Sequence, residues 1–123
     1  MKIGATCFNN CTIYGVFLFV VLFSTNSLSA NDFYGWHHGA SGYSDAIQEA
    51  KYEEQPLIIY FHIEKCKWCK EMNDNYLASY EADEFLSDIP KVEINPDKGA
   101  DENALTRQYN ITGYPSFLYL FLL

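Results

Sequence analysis

Positive charge is what this 123-residue sequence has least of: eight Lys and Arg stand against sixteen Asp and Glu, a net charge of −8. Nucleic-acid binding wants a basic face, and this balance argues against one. Acidity of this degree serves solubility and says little about fold. Cysteine is scarce too, with Cys7, Cys11, Cys66 and Cys69 making the full set. A pair at minimal spacing closes almost no loop, so a disulfide-stapled scaffold is excluded. Apolar runs are short: Ile13 to Phe23, the longest, holds eleven residues, too few to span ~30 Å of hydrocarbon comfortably. Repeats and low-complexity tracts are absent, and the length allows one domain.

The eleven-residue block lies in a segment whose only charged side chain before Asp32 is Lys2, and Ser27-Leu28-Ser29-Ala30 follows it. Small residues there suit a signal peptidase, so residues 1–30 are expected to be an export signal removed near Ala30. The protein is then periplasmic or secreted, and an uncleaved signal is its one route to a membrane. Cys7 and Cys11 precede the apolar block and read as passengers in the discarded segment. Behind the signal stand all sixteen acidic residues, seven basic ones and two cysteines.

Residues 31–42 form an entry segment with three glycines and His37-His38, and a short strand is expected around Phe33 to Trp36. Ser44 can cap a helix from Asp45 to about Glu54, with Ala46, Ile47 and Ala50 on its apolar face. Pro56 stops it. Leu57 to Ile63 is apolar without strict alternation, which suits a central strand covered on both faces. A helix is expected from about Lys67 to Leu77, with Cys69, Met72 and Tyr76 at helical spacing. One or two further turns over Ser79 to Ser87 carry Phe85 and Leu86 inward. Lys91 to Asn95 is a short strand. Asp101 can cap a helix through Tyr109, which Asn110 ends in the left-handed region. Ile111 to Pro115 is a turn and Ser116 to Leu123 an apolar strand. Helices and strands alternate, so part of the sheet should be parallel.

The chemistry concentrates in Cys66-Lys67-Trp68-Cys69, directly after the central strand. Two sulfurs on one helical turn can form and break a disulfide, or supply half of a zinc site. Zinc would need two more ligands, for which His37, His38, His62 and carboxylates are available. Adjacent His37 and His38 diverge in regular backbone and serve poorly as a ligand pair.

Three separated features together resemble the thioredoxin superfamily: the strand–CKWC–helix unit, the helix ending Arg107-Gln108-Tyr109-Asn110-Ile111, and Gly113-Tyr114-Pro115-Ser116-Phe117. The resemblance covers about Tyr43 to Leu123 and is closest to small exported thioredoxin-like proteins. It implies an α/β thioredoxin-like fold, a mixed central sheet flanked by helices, over residues 43–123. The family pattern continues with another strand and a helix, so this domain is expected to be incomplete and to expose the edge and face of its last strand.

The resemblance also implies an activity, protein-disulfide oxidoreduction. Cys66 would be the nucleophile, its thiolate favoured by the helix start and by Lys65, Lys67 and Lys70, with Glu64 and Glu71 partly opposing them. Cys69 would resolve the mixed disulfide. By family pattern Pro115 is a cis proline beside the cysteines, and with Tyr114 it would shape the edge that holds an extended substrate strand. Trp68 offers an apolar contact. The implied partners are protein thiols or disulfides and a redox protein that resets the pair. Electrons reside in the cysteines, so neither cofactor nor metal is called for. The alternative is a thioredoxin-fold binding or scaffold module, or a fragment without function, with a static disulfide. Two departures bear on proton chemistry. Lys65 stands where many thioredoxins have tryptophan, and Tyr60 where they have a buried carboxylate. Deprotonation of Cys69 would then fall to water, Glu64 or His62.

Overall fold

The computed structural model describes residues 34–122. The export signal with Cys7 and Cys11, residues 31–33 and Leu123 lie outside the described residues. Within them the order is β1 (His37–His38), α1 (Gly39–Tyr52), β2 (Leu57–Phe61), α2 (Lys67–Met72), a π-helical turn (Asn73–Leu77), α3 (Tyr80–Leu86), β3 (Lys91–Ile94), α4 (Ala100–Gln108) and β4 (Ser116–Leu120). The sheet runs β1-β3-β2-β4, with β1 and β2 parallel to β3 and β4 antiparallel to β2.

Helix α1 begins five residues before the cap expected at Ser44. Gly39, at φ +67°, turns the chain out of β1, and the Ala40 amide donates to the Glu102 carboxylate of α4 at 3.1 Å. A side chain 62 residues away therefore satisfies a helix-start donor that local sequence leaves open. Gly42, Ala46 and Ala50 follow at four-residue spacing and are buried. This small-residue stripe lets the helix lie close to the sheet; a Cβ on Gly42 would sit 3.0 Å from the His37 carbonyl carbon. At the far end Glu54 takes φ +54° and the Gln55 amide bonds the Ala50 carbonyl at 3.0 Å. Asn110 closes α4 the same way, at φ +53° with Ile111 N–H on Thr106 O, as its residue type suggests.

Strand β2 holds the centre, and its two faces differ. Leu57, Ile59 and Phe61 are fully buried on one face. They pack with Val92 and Ile94 of β3 and with Ala46 and Ala50 of α1, bordered by Leu105, Tyr109, Leu118 and Leu120. The other face pairs Tyr60 with Glu93 and Phe117, and Ile58 with Lys91 and Tyr119. Phe117 and Tyr119 are exposed there, as is Phe121 just beyond the strand.

Four local expectations shift. Among the described residues the first strand is His37–His38, which find β3 as a parallel partner, while Tyr34 to Trp36 of the expected Phe33 to Trp36 stretch form no strand. Helix α4 starts at Ala100 after Gly99, with no side-chain cap, and Asp101 lies in its first turn. The Ala78 amide bonds the Asn73 carbonyl, an i→i+5 step. A wider turn rotates later positions off the apolar stripe, and Tyr76 is 59 % exposed. Phe85 points outward at 77 % exposure while Leu86 is half-buried.

Truncating Ile59 to Ala should cost about 3 kcal/mol, since a buried aliphatic on a central strand loses its contacts and leaves a cavity. Denaturant titration reads this as a lower midpoint at unchanged slope. A change under about 1 kcal/mol would show that the aliphatic face is not the principal core.

Candidate functional site

Cys66 is the N-cap of α2, in extended conformation, and its sulfur accepts the Cys69 amide at 3.0 Å. The residue that could act as nucleophile is thus also the cap, and its side chain is held by the turn it begins. Cys66 and Cys69 are joined in a disulfide with Cα atoms 5.2 Å apart. Their exposure differs: Cys69 is 1 % exposed, whereas Cys66 is half-buried and borders solvent. An incoming sulfur would reach Cys66 first.

Across from it, the Tyr114 carbonyl oxygen lies 3.7 Å from Cys66 Sγ, and the Tyr114–Pro115 peptide is cis. The fold therefore brings Cys66, Cys69, Tyr114 and Pro115 together from two segments more than 40 residues apart. Trp68 stands beside them at 65 % exposure, with the Lys67 ammonium 5.7 Å above its ring. Lys65, Lys67 and Lys70 are all exposed. Lys70 pairs with Asp74 one turn on, while Lys65 and Lys67 form no ion pair among the described residues. Glu64 is occupied by Lys98, whose Nζ donates to its carboxylate at 2.5 Å. That hydrogen bond and the Lys98 charge hold Glu64 below the usual carboxylate range.

Tyr60 donates its hydroxyl to Asn73 Oδ1 at 2.7 Å. The Asn73 amide in turn bonds the Cys69 carbonyl, so the disulfide-bearing helix is tied to the sheet through this pair. Burial first, then the nearby Glu93 charge, pushes the Tyr60 pKa up to about 12. The group standing in for the family carboxylate thus stays neutral at every physiological pH. Its ring stacks on Phe117 at 4.5 Å and on His62 at 5.0 Å, and meets Trp36 edge-on.

Glu93 is a site residue that sequence reasoning missed. It accepts from His38 Nδ1 at 3.1 Å through one oxygen and from His62 Nε2 through the other. Burial raises its pKa, but the two histidines outweigh that and hold it below the ordinary value. The available signal was the strand period, which puts Glu93 on the Tyr60 face between flanking strands that carry histidines. His37 turns the other way and bonds Glu49 at 2.5 Å, so the adjacent histidines do diverge. His62 has Glu93 as its own partner.

The disulfide at a helix start, the facing Tyr114–Pro115 loop and the mixed sheet together define a thioredoxin-like fold. Comparison with known proteins agrees, and the chain belongs to the Thioredoxin-like family, whose model matches residues 36–122. Disulfide bond reductase DsbH of Chlamydia pneumoniae is 27 % identical over 88 residues, covering 63 % of this chain and 53 % of that protein. The chain thus spans about half the length of that curated relative. Among solved structures, a DsbH oxidoreductase superposes with TM-score 0.62 at 24 % identity, over 80 % of this chain and 72 % of the other. A thioredoxin from Thermus thermophilus gives 0.59 at 24 % identity, over 70 % and 65 %. At those identities the structural matches speak for the fold.

Because Glu93 has a depressed pKa in the folded protein, its contribution to stability is present above the unfolded carboxylate range and is lost as pH falls through its folded value. Glu93→Gln should therefore cost about 2 kcal/mol at neutral pH, as expected for charge-assisted bonds in a partly buried site. The gap from wild type should close on acidification below the ordinary carboxylate range. Melting curves across pH check this, and a gap that widens in acid would refute it.

Proposed function

We propose that this protein is a thiol-disulfide oxidoreductase acting on protein substrates through Cys66 and Cys69. The observation that carries the reading is the asymmetric disulfide, with a reachable Cys66 sulfur against the Tyr114–Pro115 loop and a buried Cys69 behind it. In the reducing direction, the Cys66 thiolate attacks a substrate disulfide and releases one substrate thiolate, which takes a proton. Cys69, deprotonated, then attacks Cys66 Sγ and releases the second substrate thiolate. The substrate gains two electrons and two protons, and the protein is left with the Cys66–Cys69 disulfide. An external dithiol returns it to the reduced form, and the reverse sequence oxidises a substrate dithiol.

The Cys69 amide bonded to Cys66 Sγ favours negative charge on that sulfur, and Lys65 and Lys67 add a field of the same sense. Tyr114 and Pro115 support the substrate strand in this proposal, and Trp68 contacts its side chains. We also place the protein outside the cytoplasm, on the strength of residues 1–30 and of the disulfide-reductase name of its relative.

Reduced protein should cleave the disulfides of insulin, and Cys66→Ser should lower the rate at least a thousandfold. Cys69→Ser should instead accumulate a mixed disulfide with substrate, seen as a mass increase that dithiothreitol removes. Wild-type activity indistinguishable from Cys66→Ser would establish a static disulfide on a scaffold. Alkylation of reduced Cys66 should show a midpoint below the ~8.5 of a free cysteine. Sequencing the amino terminus from cell fractions checks export: a mature chain beginning at Asn31 outside the cytoplasm supports it, and intact chain in the cytoplasm contradicts it.

A further inference from the structure

Around Cys66 the charge runs against the rest of the chain. The protein has twice as many acidic as basic residues, yet Lys65, Lys67 and Lys70 flank the disulfide, and Lys98 reaches Glu64 beside it. Two ion pairs, Lys98–Glu64 and Lys70–Asp74, neutralise themselves. Lys65 and Lys67, one on each side of Cys66 in the chain, are exposed and form no ion pair among the described residues. The nearest carboxylate outside those pairs along the helix is Glu71, four residues past Lys67 and so about one turn further from Cys66. On the opposite side of the sulfur, residues 111–116 carry no charge at all. A substrate strand docked at Cys66 and the Tyr114–Pro115 loop comes beside two exposed lysines that no ion pair takes up and beside the exposed Trp68 ring.

We infer that this site prefers partners whose reactive cysteine is flanked by acidic residues, with an apolar side chain nearby to cover Trp68. The inference rests on the disulfide-exchange function proposed above and adds the class of partner. Its range is short. Screening falls to ~10 Å at 0.1 M salt, so at that ionic strength the two lysines act on residues next to the reactive cysteine while the distant carboxylates of the acidic surface are damped. Two exposed contacts of this kind give a preference of about fivefold.

The test uses three peptides with the same internal disulfide and one leucine, flanked by Asp, Ser or Lys, and the reduced full-length protein. In each reaction the peptide disulfide becomes two thiols and the Cys66–Cys69 disulfide forms. Each rate is divided by that peptide's rate with dithiothreitol, which removes its intrinsic reactivity. At 0.1 M salt the Asp peptide should react about fivefold faster than the Lys peptide, with the Ser peptide between. In 1 M salt, where screening falls to ~3 Å, the ratio should drop below two. The double substitution Lys65→Glu with Lys67→Glu also changes the reactivity of Cys66, but that acts on all three peptides alike, so the Asp-to-Lys ratio reads docking and should invert. A ratio below two at 0.1 M, or one that survives 1 M salt or the double substitution, overturns the inference. Exchange with the Ser peptide that Cys66→Ser abolishes keeps the underlying function in place in that event. No exchange with any peptide overturns both.

Discussion

Strand β2 must be dry on both faces, and most of the molecule follows from that demand. Five consecutive residues, Leu57 to Phe61, have no polar side chain except Tyr60 and Tyr60 is itself fully buried. A strand of this kind cannot lie at an edge or on an open surface without exposing large apolar area. Strands β3 and β4 take its two backbone edges. Helices α1 and α4 cover its aliphatic face, and the Asn73 contact fastens the segment after α2 to its other face. The chain leaving β2 at Phe61 has only five residues before α2 begins. Cys66 is therefore delivered to the sheet's end by the same strand that organises the core.

The two faces of that strand do different work. On the α1 side small residues at four-residue spacing allow close approach, so the packing there is aliphatic and its stability comes from burial. On the α2 side the Tyr60 ring stacks on His62 and Phe117 and meets Trp36 edge-on, and Glu93 collects two histidines. Directional bonds matter more on this side, because each buried polar group left unpaired would cost more than its bond contributes when made. The Tyr60–Asn73 bond belongs to that class and fastens the disulfide-bearing segment to the sheet.

Much of this was legible in the residues. The apolar run 57–63 announced a doubly covered strand, and C-x-x-C with a distant Gly-Tyr-Pro-Ser turn announced the fold. What stayed hidden depended on contacts between distant residues. No local signal starts α1 at Gly39, because its cap is Glu102 from another helix. The π turn at Asn73–Leu77 displaced Tyr76 from a stripe that helical spacing had drawn too regularly. Phe85 reads as core by residue type, but α3 is short and turns only one side inward. Glu93 looked like an ordinary strand residue until the parallel register put it beside Tyr60 and between two histidines.

Tyr60 changes where the electrostatics of the proposed active site come from. A carboxylate at this position would place a charge on the sheet face that carries Asn73. Tyrosine, with its pKa pushed to about 12 and its hydroxyl committed to Asn73, places none. The charge on that face lies one strand over, on Glu93, which His38 and His62 hydrogen-bond. With that carboxylate committed to its two histidines, the charges next to Cys66 along the chain that no ion pair takes up are Lys65 and Lys67, and both are exposed. A nucleophile tuned from the solvent side responds to salt and to whatever charge a partner brings, whereas one tuned from a buried carboxylate is shielded from both. In the proposed mechanism, reactivity and partner choice at Cys66 are therefore coupled through the same two lysines.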